Sequence, residues 1–413
     1  MVTEENIKLI FGLKVKLLRQ RLSFSLSELS EKTGISVSYL NEIEKGKKYP
    51  KASKVTTIAT VLETSYDWLV SLKLDRKLAP LADLLQSNIL SELPLDVFGL
   101  QPRHILELIS GAPDKLNAFI STLIEISRHY NVSVENFYFS ALRSYQQMYD
   151  NYFEDLEAEA DKARKLFFKD KIPTLPQLEK IVQEQMGYII DEQSLEEFPE
   201  LKNFRYVLAH EQQPPKMFIN KSLTEQQKAF ILSREIGYHL LQLSERSYTY
   251  SWTDANSFEL ILNNFKATYF AGALLIPQDA MNTDLKRMIN WDAWKPEKFL
   301  GMMEKYNASP EMFMHRLTSL LPRLGLDKLF YLRLTHSASE DKFRLSKELH
   351  LAGLHPPHST AGNYHYCRRW ISIQVIRDLV KQQQNDTYGK PICGAQISNY
   401  VDSQKQYFCI SIA

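Results

Sequence analysis

Cysteine is scarce in this sequence, and long apolar runs are missing from it. Three cysteines among 413 residues are too few for a disulfide framework, and they favour a reducing compartment. The longest apolar stretches, such as FAGALLIP, are far shorter than the roughly 20 residues that span a bilayer. The opening MVTEENIKLIFG carries acids where a secretory signal needs basic residues. We therefore expect neither a secreted nor a membrane protein, and we predict a cytoplasmic location.

Glycine and proline are also sparse, and neither sign of charge dominates the whole chain. With 14 Gly and 17 Pro, the composition excludes fibrous and low-complexity proteins. The formal net charge is +1, yet residues 1–77 hold 14 Lys and Arg against 9 Asp and Glu, whereas the remainder holds 36 against 40. A basic head on a slightly acidic body is typical of a nucleic-acid-binding module joined to a part that does not bind nucleic acid.

The spacing of apolar residues predicts a mainly α protein with smaller α+β parts, and the chain is too long for one compact core. Residues 1–72 predict an all-α, five-helix head, and residues 73–102, broken by prolines, predict a connector. Residues 103–325 predict a helical domain with a β-hairpin between 203 and 220, followed by two apolar helices, the second stopped by Pro277. Residues 326–413 predict a C-terminal α+β module, with LFYLRL and KQYFCISI as strands.

The helical domain also contains the acidic stretch NYFEDLEAEADKARKLF. Such a mixture of acidic and basic residues on a helix is typical of a solvated face. We therefore expect this helix to present its charges to water.

The segment LSFSLSELSEKTGISVSYLNEIEKGKKYPKASKV predicts two helices around a tight turn at Thr33 and Gly34, where a left-handed backbone favours glycine. Ser36 is expected to cap the second helix. The apolar side chains expected to face inward are Leu29, Ile35, Leu40 and Ile43. The residues expected to contact DNA bases or phosphates are Ser36, Val37, Ser38, Tyr39, Asn41, Glu42, Lys45, Lys47 and Lys48. The alternative is a helical hairpin that touches no DNA.

The run ISVSYLNEIEKGKKYP, followed by VTTIATVLETSYDWLV, resembles the Xre/lambda-repressor type of helix-turn-helix over residues 7 to 70. The resemblance implies that the head binds double-stranded operator DNA in pairs, on half-sites about one DNA turn apart. The rest of the chain would then hold a dimer or higher oligomer together. A phosphate-clamping Gln of this family stands as Leu26 here, so we expect that contact to be lost.

The hairpin ending in FIN and the helix FILSREIGYHLL resemble the ImmA/IrrE-type metallopeptidase frame, whose zinc helix carries His-Glu-x-x-His. On that frame Arg234 stands at the first His, Glu235 at the general base and Tyr238 at the second His. Lys266 stands at the third ligand position in the following helix. A guanidinium or an ammonium offers a metal no lone pair. We therefore expect no zinc, no catalytic residue and no enzymatic activity.

Cationic side chains at the positions of the metal ligands favour the binding of an anion such as a phosphate or a carboxylate. The residues expected to bind a small anionic metabolite are Arg234, Tyr238, Lys266 and Tyr269. In the alternative, Arg234 pairs internally with Glu235 or Glu259, and Lys266 reaches solvent.

Several long stretches resemble the short-chain fatty acyl-CoA regulator family, which joins an Xre head to a degenerate metallopeptidase-like domain and a C-terminal module. They are NYFEDLEAEADKA, FINKSLTEQQKAFILSREIGYHLL, FELILNNFKATYFAGALLIP and ASPEMFMHRLTSLLPRLGLDKLFYLRL. The resemblance spans nearly all of the chain from residue 7. It implies a short-chain acyl-CoA or CoA as the bound ligand, and targets among genes of short-chain fatty acid metabolism.

Some members of that family are thought to hold an iron-sulfur cluster through cysteines of the C-terminal module. Here Cys367, Cys393 and Cys409 are 26 and 16 residues apart, with no close pair. We expect no cluster and no required cofactor. Two other functions stay open: a repressor-linked metallopeptidase of the ImmA/IrrE type, and a phage or antitoxin-type repressor that binds no metabolite.

Overall fold

The computed structural model describes residues 4–72, 134–198, 200–201, 204–249, 257–326, 328–337, 342–350, 369–385, 389–399 and 406–413. The chain divides into two compact units, one ending at Tyr138 and the other beginning at Phe139. The predicted connector, residues 73–102, lies outside the described residues. No described helix has both the length and the apolar content needed to cross a membrane.

The head contains the five helices that the sequence predicts. They are α1 (Glu4–Arg21), α2 (Leu26–Thr33), α3 (Val37–Glu44), α4 (Ala52–Val61) and α5 (Tyr66–Val70). Leu29, Ile35, Leu40 and Ile43 are all buried, as predicted, in one apolar cluster with residues of α1, α4 and α5. Gly12 allows α1 to approach α3 closely, because a Cβ there would lie 2.2 Å from the carbonyl oxygen of Ile43.

The second unit is built mainly of helices. Its described helices, the first of which begins at the end of the first unit, are α6 (Val134–Met148), α7 (Glu154–Phe168), α8 (Leu175–Glu184), α9 (Glu225–Leu240), α10 (Phe258–Leu275), α11 (Gln278–Ile289), α12 (Pro296–Lys305), α13 (Pro310–Leu320) and α14 (Ile371–Gln384). Helices α9 and α10 pack against each other at the centre, and α10 is buried on nearly every side. Helix α10 ends before Pro277, as predicted.

Three short strands form a sheet in the order β1–β3–β2. Strand β1 (Ile189–Asp191) is parallel to β3 (Lys216–Ile219), and β2 (Tyr206–Ala209) is antiparallel to β3. The β2–β3 pair is the predicted hairpin. Strand β1 was not predicted, because three residues carry too little periodicity and their partner lies far along the chain.

Two further antiparallel pairs lie in the C-terminal region. Strand β4 (Phe330–Ser337) pairs with β5 (Lys342–His350), and β6 (Cys393–Asn399) pairs with β7 (Gln406–Ile412). Helix α14 packs on the β6–β7 pair. The two predicted strands LFYLRL and KQYFCISI therefore lie in β4 and β7, and the architecture is mainly α with small sheets, as predicted.

The acidic helix differs from its prediction. Although α7 exposes several charges, Glu157 and Arg164 are buried. A carboxylate is buried in this way only where a cation and hydrogen bonds compensate for its lost hydration. Glu157 has such a partner in Arg316 of α13, which lies far along the sequence.

Candidate functional site

The turn between α2 and α3 has the local geometry of a helix-turn-helix. Ser25 and Glu28 form a reciprocal capping box at the start of α2, and Gly34 ends that helix with a left-handed φ of 67°. Ser36 caps α3, its Oγ accepting a hydrogen bond from the Tyr39 N–H at 3.4 Å. Leu26 begins α2 and packs partly into the head core.

The nine residues predicted to contact DNA lie on α3, at its cap or in the turn that follows it. Ser36, Val37, Ser38, Lys45, Lys47 and Lys48 are exposed, whereas Tyr39, Asn41 and Glu42 are half-buried. The Lys54 ammonium lies 4.4 Å from the centre of the Tyr39 ring. Lys54 belongs to the first turn of α4, so sequence reasoning missed it, and it adds a cation beside α3.

A buried ion pair braces the end of α3. The Nε of Arg19 donates to Glu44 Oε1 at 2.6 Å and its Nη2 donates to Oε2 at 2.9 Å. The third contact of this guanidinium is the carbonyl oxygen of Phe24, 2.7 Å from Nη1. Because three separate segments meet at one side chain, α3 is held rigidly relative to α1 and α2.

In the second unit, Arg234 and Tyr238 lie on one face of α9 and meet Asn264 of α10. The Nη2 of Arg234 donates to Asn264 Oδ1 at 3.1 Å, and the Tyr238 hydroxyl donates to the same oxygen. All three side chains are buried. Arg234 and Tyr238 stand at two positions where the resemblance to the metallopeptidase frame places metal ligands, and Asn264 is the side chain of α10 that meets them.

This geometry corrects the expectation for Lys266. Along α10 the residues that line the cavity described below are Asn264, Thr268 and Gly272, each one helical turn after the last, with Tyr269 beside them. Lys266 is two residues from Asn264 and therefore points about 200° away around the helix. The position facing Arg234 is thus taken by Asn264.

Glu235, at the position of the general base, is fully engaged. The Nη1 of Arg246 donates to its Oε1 at 2.6 Å, and Nη2 donates to its Oε2. Burial raises the pKa of the neighbouring Tyr188 to about 12, and Glu235 contributes to that rise. Both oxygens of this carboxylate therefore accept hydrogen bonds from Arg246.

These side chains do not fit a zinc ion. A tetrahedral zinc site takes lone pairs from His, Cys or carboxylate groups, whereas the side chains that meet here are a guanidinium, a phenol and an amide. Across the described parts of the chain, no group of three or more His, Cys, Asp or Glu side chains is arranged to hold a metal ion.

A cavity of about 100 Å³ lies between α9, α10 and α13 and opens to solvent. Four cationic side chains line it, and the one carboxylate among its described lining residues is Glu311. The cations are Arg205, Arg234, Arg316 and Lys347. Apolar side chains of α9 and α13, Phe230, Ile231 and Met312, form other parts of its wall. The predicted residues Arg234 and Tyr269 line the cavity, whereas Tyr238 and Lys266 are not among its described lining residues.

The cationic lining affects two titratable groups of the cavity. Loss of hydration lowers the pKa of the Lys347 ammonium, and Arg234 and Arg205 lower it further, against the opposing effect of Glu311. Burial lowers the pKa of His315 well below its usual value, with Lys347 adding to the effect. Both side chains are therefore protonated less readily than in water, and nearby cations add to that effect.

Arg316 reaches the cavity from α13 while it pairs with Glu157. Its Nη2 donates to Glu157 Oε2 at 2.8 Å, and its Nε donates to the carbonyl oxygen of Ile276 at 3.0 Å. The Tyr269 hydroxyl donates to Glu157 Oε1 at 2.7 Å and accepts from the Phe153 N–H at 3.2 Å. The cavity wall is thus tied to the first turn of α7.

The C-terminal cysteines are thiols in partly buried strands. Cys393 begins β6 and Cys409 lies on the neighbouring strand β7. Burial raises the pKa of Cys393 to about 12 and raises that of Cys409 as well. Protonated thiols are poor metal ligands. Cys367 lies outside the described residues.

Comparison with known proteins identifies two domains. The helix-turn-helix family profile matches residues 15–69, and the profile of the IrrE N-terminal-like domain matches residues 197–318. None of the proteins with curated functions matches the chain. Among solved structures, a transcriptional regulator of Mycobacterium tuberculosis is 16% identical, with a TM-score of 0.46, over 66% of this chain and 73% of that chain.

The match at residues 15–69 coincides with the head, whose α2, turn and α3 have the geometry described above. The match at residues 197–318 contains the hairpin, α9, α10 and α13. The chain therefore contains a helix-turn-helix domain and an IrrE N-terminal-like domain.

Proposed function

We propose that this chain is a metabolite-responsive transcription regulator: it acts in the cytoplasm, holds a small anionic metabolite in the cavity of its IrrE-like domain, and binds operator DNA as a dimer or higher oligomer. The supporting observation is the cavity lining, in which four cationic side chains and one carboxylate face the same open space. Arginine and lysine side chains on one cavity wall attract an anion by charge and can donate hydrogen bonds to it.

The chemistry of the wall favours an amphipathic anion. Arginine and lysine side chains bind phosphate and carboxylate oxygens, while Phe230, Ile231 and Met312 offer apolar surface close by. A short-chain acyl-CoA combines phosphate groups with an acyl chain, and it is the ligand that the resemblance to the acyl-CoA regulators implies. The corresponding targets would be genes of short-chain fatty acid metabolism.

A repressor-cleaving metallopeptidase is the main competing function. It needs three metal ligands and a free general base, but Arg234, Tyr238 and Asn264 bond to one another and Glu235 is paired with Arg246. We therefore propose that the domain is not an enzyme. A phage or antitoxin-type repressor without a metabolite is the second competitor, and the binding experiment below separates it from our proposal.

The experiment is a thermal-shift and calorimetry panel on the full chain, with propionyl-CoA, CoA, propionate and inorganic phosphate as probes. A ligand at 100 times its Kd should stabilise the folded state by about 2.7 kcal/mol. We expect propionyl-CoA to stabilise the folded chain. We expect Arg234→Ala to lower the affinity for propionyl-CoA at least tenfold. Lys266→Ala is the matched control, because Lys266 is also a cation of the same helix pair but is not among the described lining residues of the cavity.

Two results would contradict the proposal. If no probe stabilised the folded chain, a repressor without a metabolite would be favoured. If Lys266→Ala lowered the ligand affinity as much as Arg234→Ala does, the ligand would not lie in this cavity. The dimer itself is tested by sedimentation equilibrium of the full chain, with and without the ligand.

A further inference from the structure

The guanidinium of Arg246 is enclosed at the centre of the former active site. Besides its two hydrogen bonds to Glu235, it lies 4.0 Å from the centre of the Tyr238 ring, at the second ligand position. The side chain of Arg246 is 10% exposed and that of Glu235 is 2% exposed. Neither residue belongs to the described lining of the cavity, so this cation is not part of the proposed ligand site.

We infer that Arg246 is an internal substitute for the metal ion: a covalently attached cation that neutralises Glu235 and keeps a divalent ion out of this fold. In a His-Glu-x-x-His centre, the positive charge beside the Glu belongs to the metal. Here the same carboxylate receives its positive charge from a side chain that is present in every molecule. A second cation placed beside Arg246 would meet strong repulsion in this enclosed site.

The pair also holds a wall of the cavity in place. Arg246 is followed by Ser247 and Thr249, both of which line the cavity. This segment joins the edge of the β-sheet, because the Leu208 N–H donates to the carbonyl oxygen of Tyr248 at 2.8 Å and Thr249 forms a bridge with Val207. The bond between Glu235 and Arg246 fastens that segment to α9. The carboxylate at the predicted general-base position therefore holds part of the cavity wall in place.

The test rebuilds the zinc ligands with and without the internal cation. One variant carries Arg234→His, Tyr238→His and Asn264→Glu, which place two imidazoles and a carboxylate where these three side chains meet. A second variant adds Arg246→Ala. Zinc content is measured by mass spectrometry of the native chains after incubation with zinc and gel filtration, and circular dichroism confirms that both variants fold.

If Arg246 substitutes for the metal, the four-residue variant retains one zinc per chain and the three-residue variant retains none. Equal zinc retention by both variants would overturn the inference. So would the absence of zinc from a folded four-residue variant. Because the readout is zinc and not the metabolite, this outcome is independent of whether the cavity binds an acyl-CoA.

Thermal denaturation of the single and double variants provides a second measurement. Arg246→Met alone leaves a buried carboxylate without its cation, and Glu235→Leu alone leaves a buried guanidinium without its anion, so each should lower the Tm by many degrees. The double variant should recover most of that loss, since both charges are removed together. A Tm unchanged by Arg246→Met would contradict the role of this pair.

Discussion

At the scale of single residues, the charge on four side chains gives the cavity its chemical character. Arg205, Arg234 and Lys347 come from three separate segments, and Arg316 shares its charge with buried Glu157. Asn264 in turn uses its amide oxygen as a common acceptor for Arg234 and Tyr238, which fixes the direction of both side chains. Under our proposal, these side chains are therefore held in place before an anion binds.

Binding of an anion should raise the pKa of groups whose pKa the empty cavity lowers. Burial lowers the pKa of His315, and loss of hydration lowers that of Lys347. An anion beside them favours their protonated forms, so the complex holds more protons than the free chain and affinity should rise as the pH falls. Calorimetry in buffers with different ionisation enthalpies measures this proton uptake. His315→Gln should reduce it, and identical enthalpies in all buffers would contradict it.

The DNA contacts are also predicted at residue scale. Lys47 is exposed just after α3, where it would meet phosphate, whereas Ser38 is exposed on α3 itself, where it would meet base edges. Lys47→Ala should weaken binding to specific and random duplexes alike. It should also reduce the magnitude of the slope of log K against log salt by about 1. Ser38→Ala should weaken mainly the binding of a duplex that has been selected from a random library. Fluorescence anisotropy across a salt series measures both, and equal behaviour of the two variants would contradict the assignment of α3.

At the scale of elements, the second unit depends on how α7, α10 and α13 are joined around one buried ion pair. Glu157 of α7 accepts from Arg316 of α13 and from Tyr269 of α10. Glu159 lies on the same helix, but it pairs with Lys162 at the surface, where the side chains are 41% and 71% exposed. Although the two carboxylates are only two residues apart, we therefore expect them to contribute very different amounts to the free energy of unfolding.

Removing one of these carboxylates should be far more costly than removing the other. Glu157→Gln leaves the buried Arg316 without its counter-charge, and we expect a loss of about 3–5 kcal/mol in the free energy of unfolding. Glu159→Gln breaks a solvent-exposed pair and should change it by less than about 1 kcal/mol. Urea denaturation followed by circular dichroism compares the two variants. Similar midpoints for both would show that the α7–α13 pair does not stabilise the unit.

At the scale of the whole molecule, regulation requires that ligand binding and DNA binding be linked. The DNA-binding residues lie in the first unit and the cavity lies in the second. A ligand shifts the DNA-binding equilibrium only if its affinity differs between the DNA-bound and free states. Linkage is reciprocal, so the factor by which the ligand changes DNA affinity must equal the factor by which DNA changes ligand affinity.

This reciprocity gives a prediction for the full chain. Propionyl-CoA affinity should change between about 5-fold and 150-fold when a selected operator duplex is present, and operator affinity should change by the same factor when propionyl-CoA is present. Calorimetry measures the first factor and anisotropy the second. The Arg234→Ala variant, which should no longer bind the ligand, should keep its operator affinity. That affinity should no longer change when propionyl-CoA is added. A ligand affinity that is the same with and without the duplex would rule out metabolite-responsive binding.

Local sequence patterns were sufficient for the head and for the class of the fold. The capping residue Ser36, the left-handed Gly34 and the inward apolar side chains act within a few residues of one another, so their pattern predicts α2, the turn and α3 directly. The β2–β3 hairpin and the end of α10 before Pro277 are local in the same sense. The replacement of the first metal-binding His by Arg234 could also be predicted, because it is a matter of spacing along one helix.

The partners of those residues depend on contacts between segments that are distant in sequence. Packing of α10 against α9 sets the rotation of α10, and that rotation brings Asn264, rather than Lys266, to Arg234. In the same way, the loop after α9 carries Arg246 to Glu235, and β5 carries Lys347 to the cavity. A helical period predicts which residues share a face, but the direction of that face is set by the surfaces packed around it.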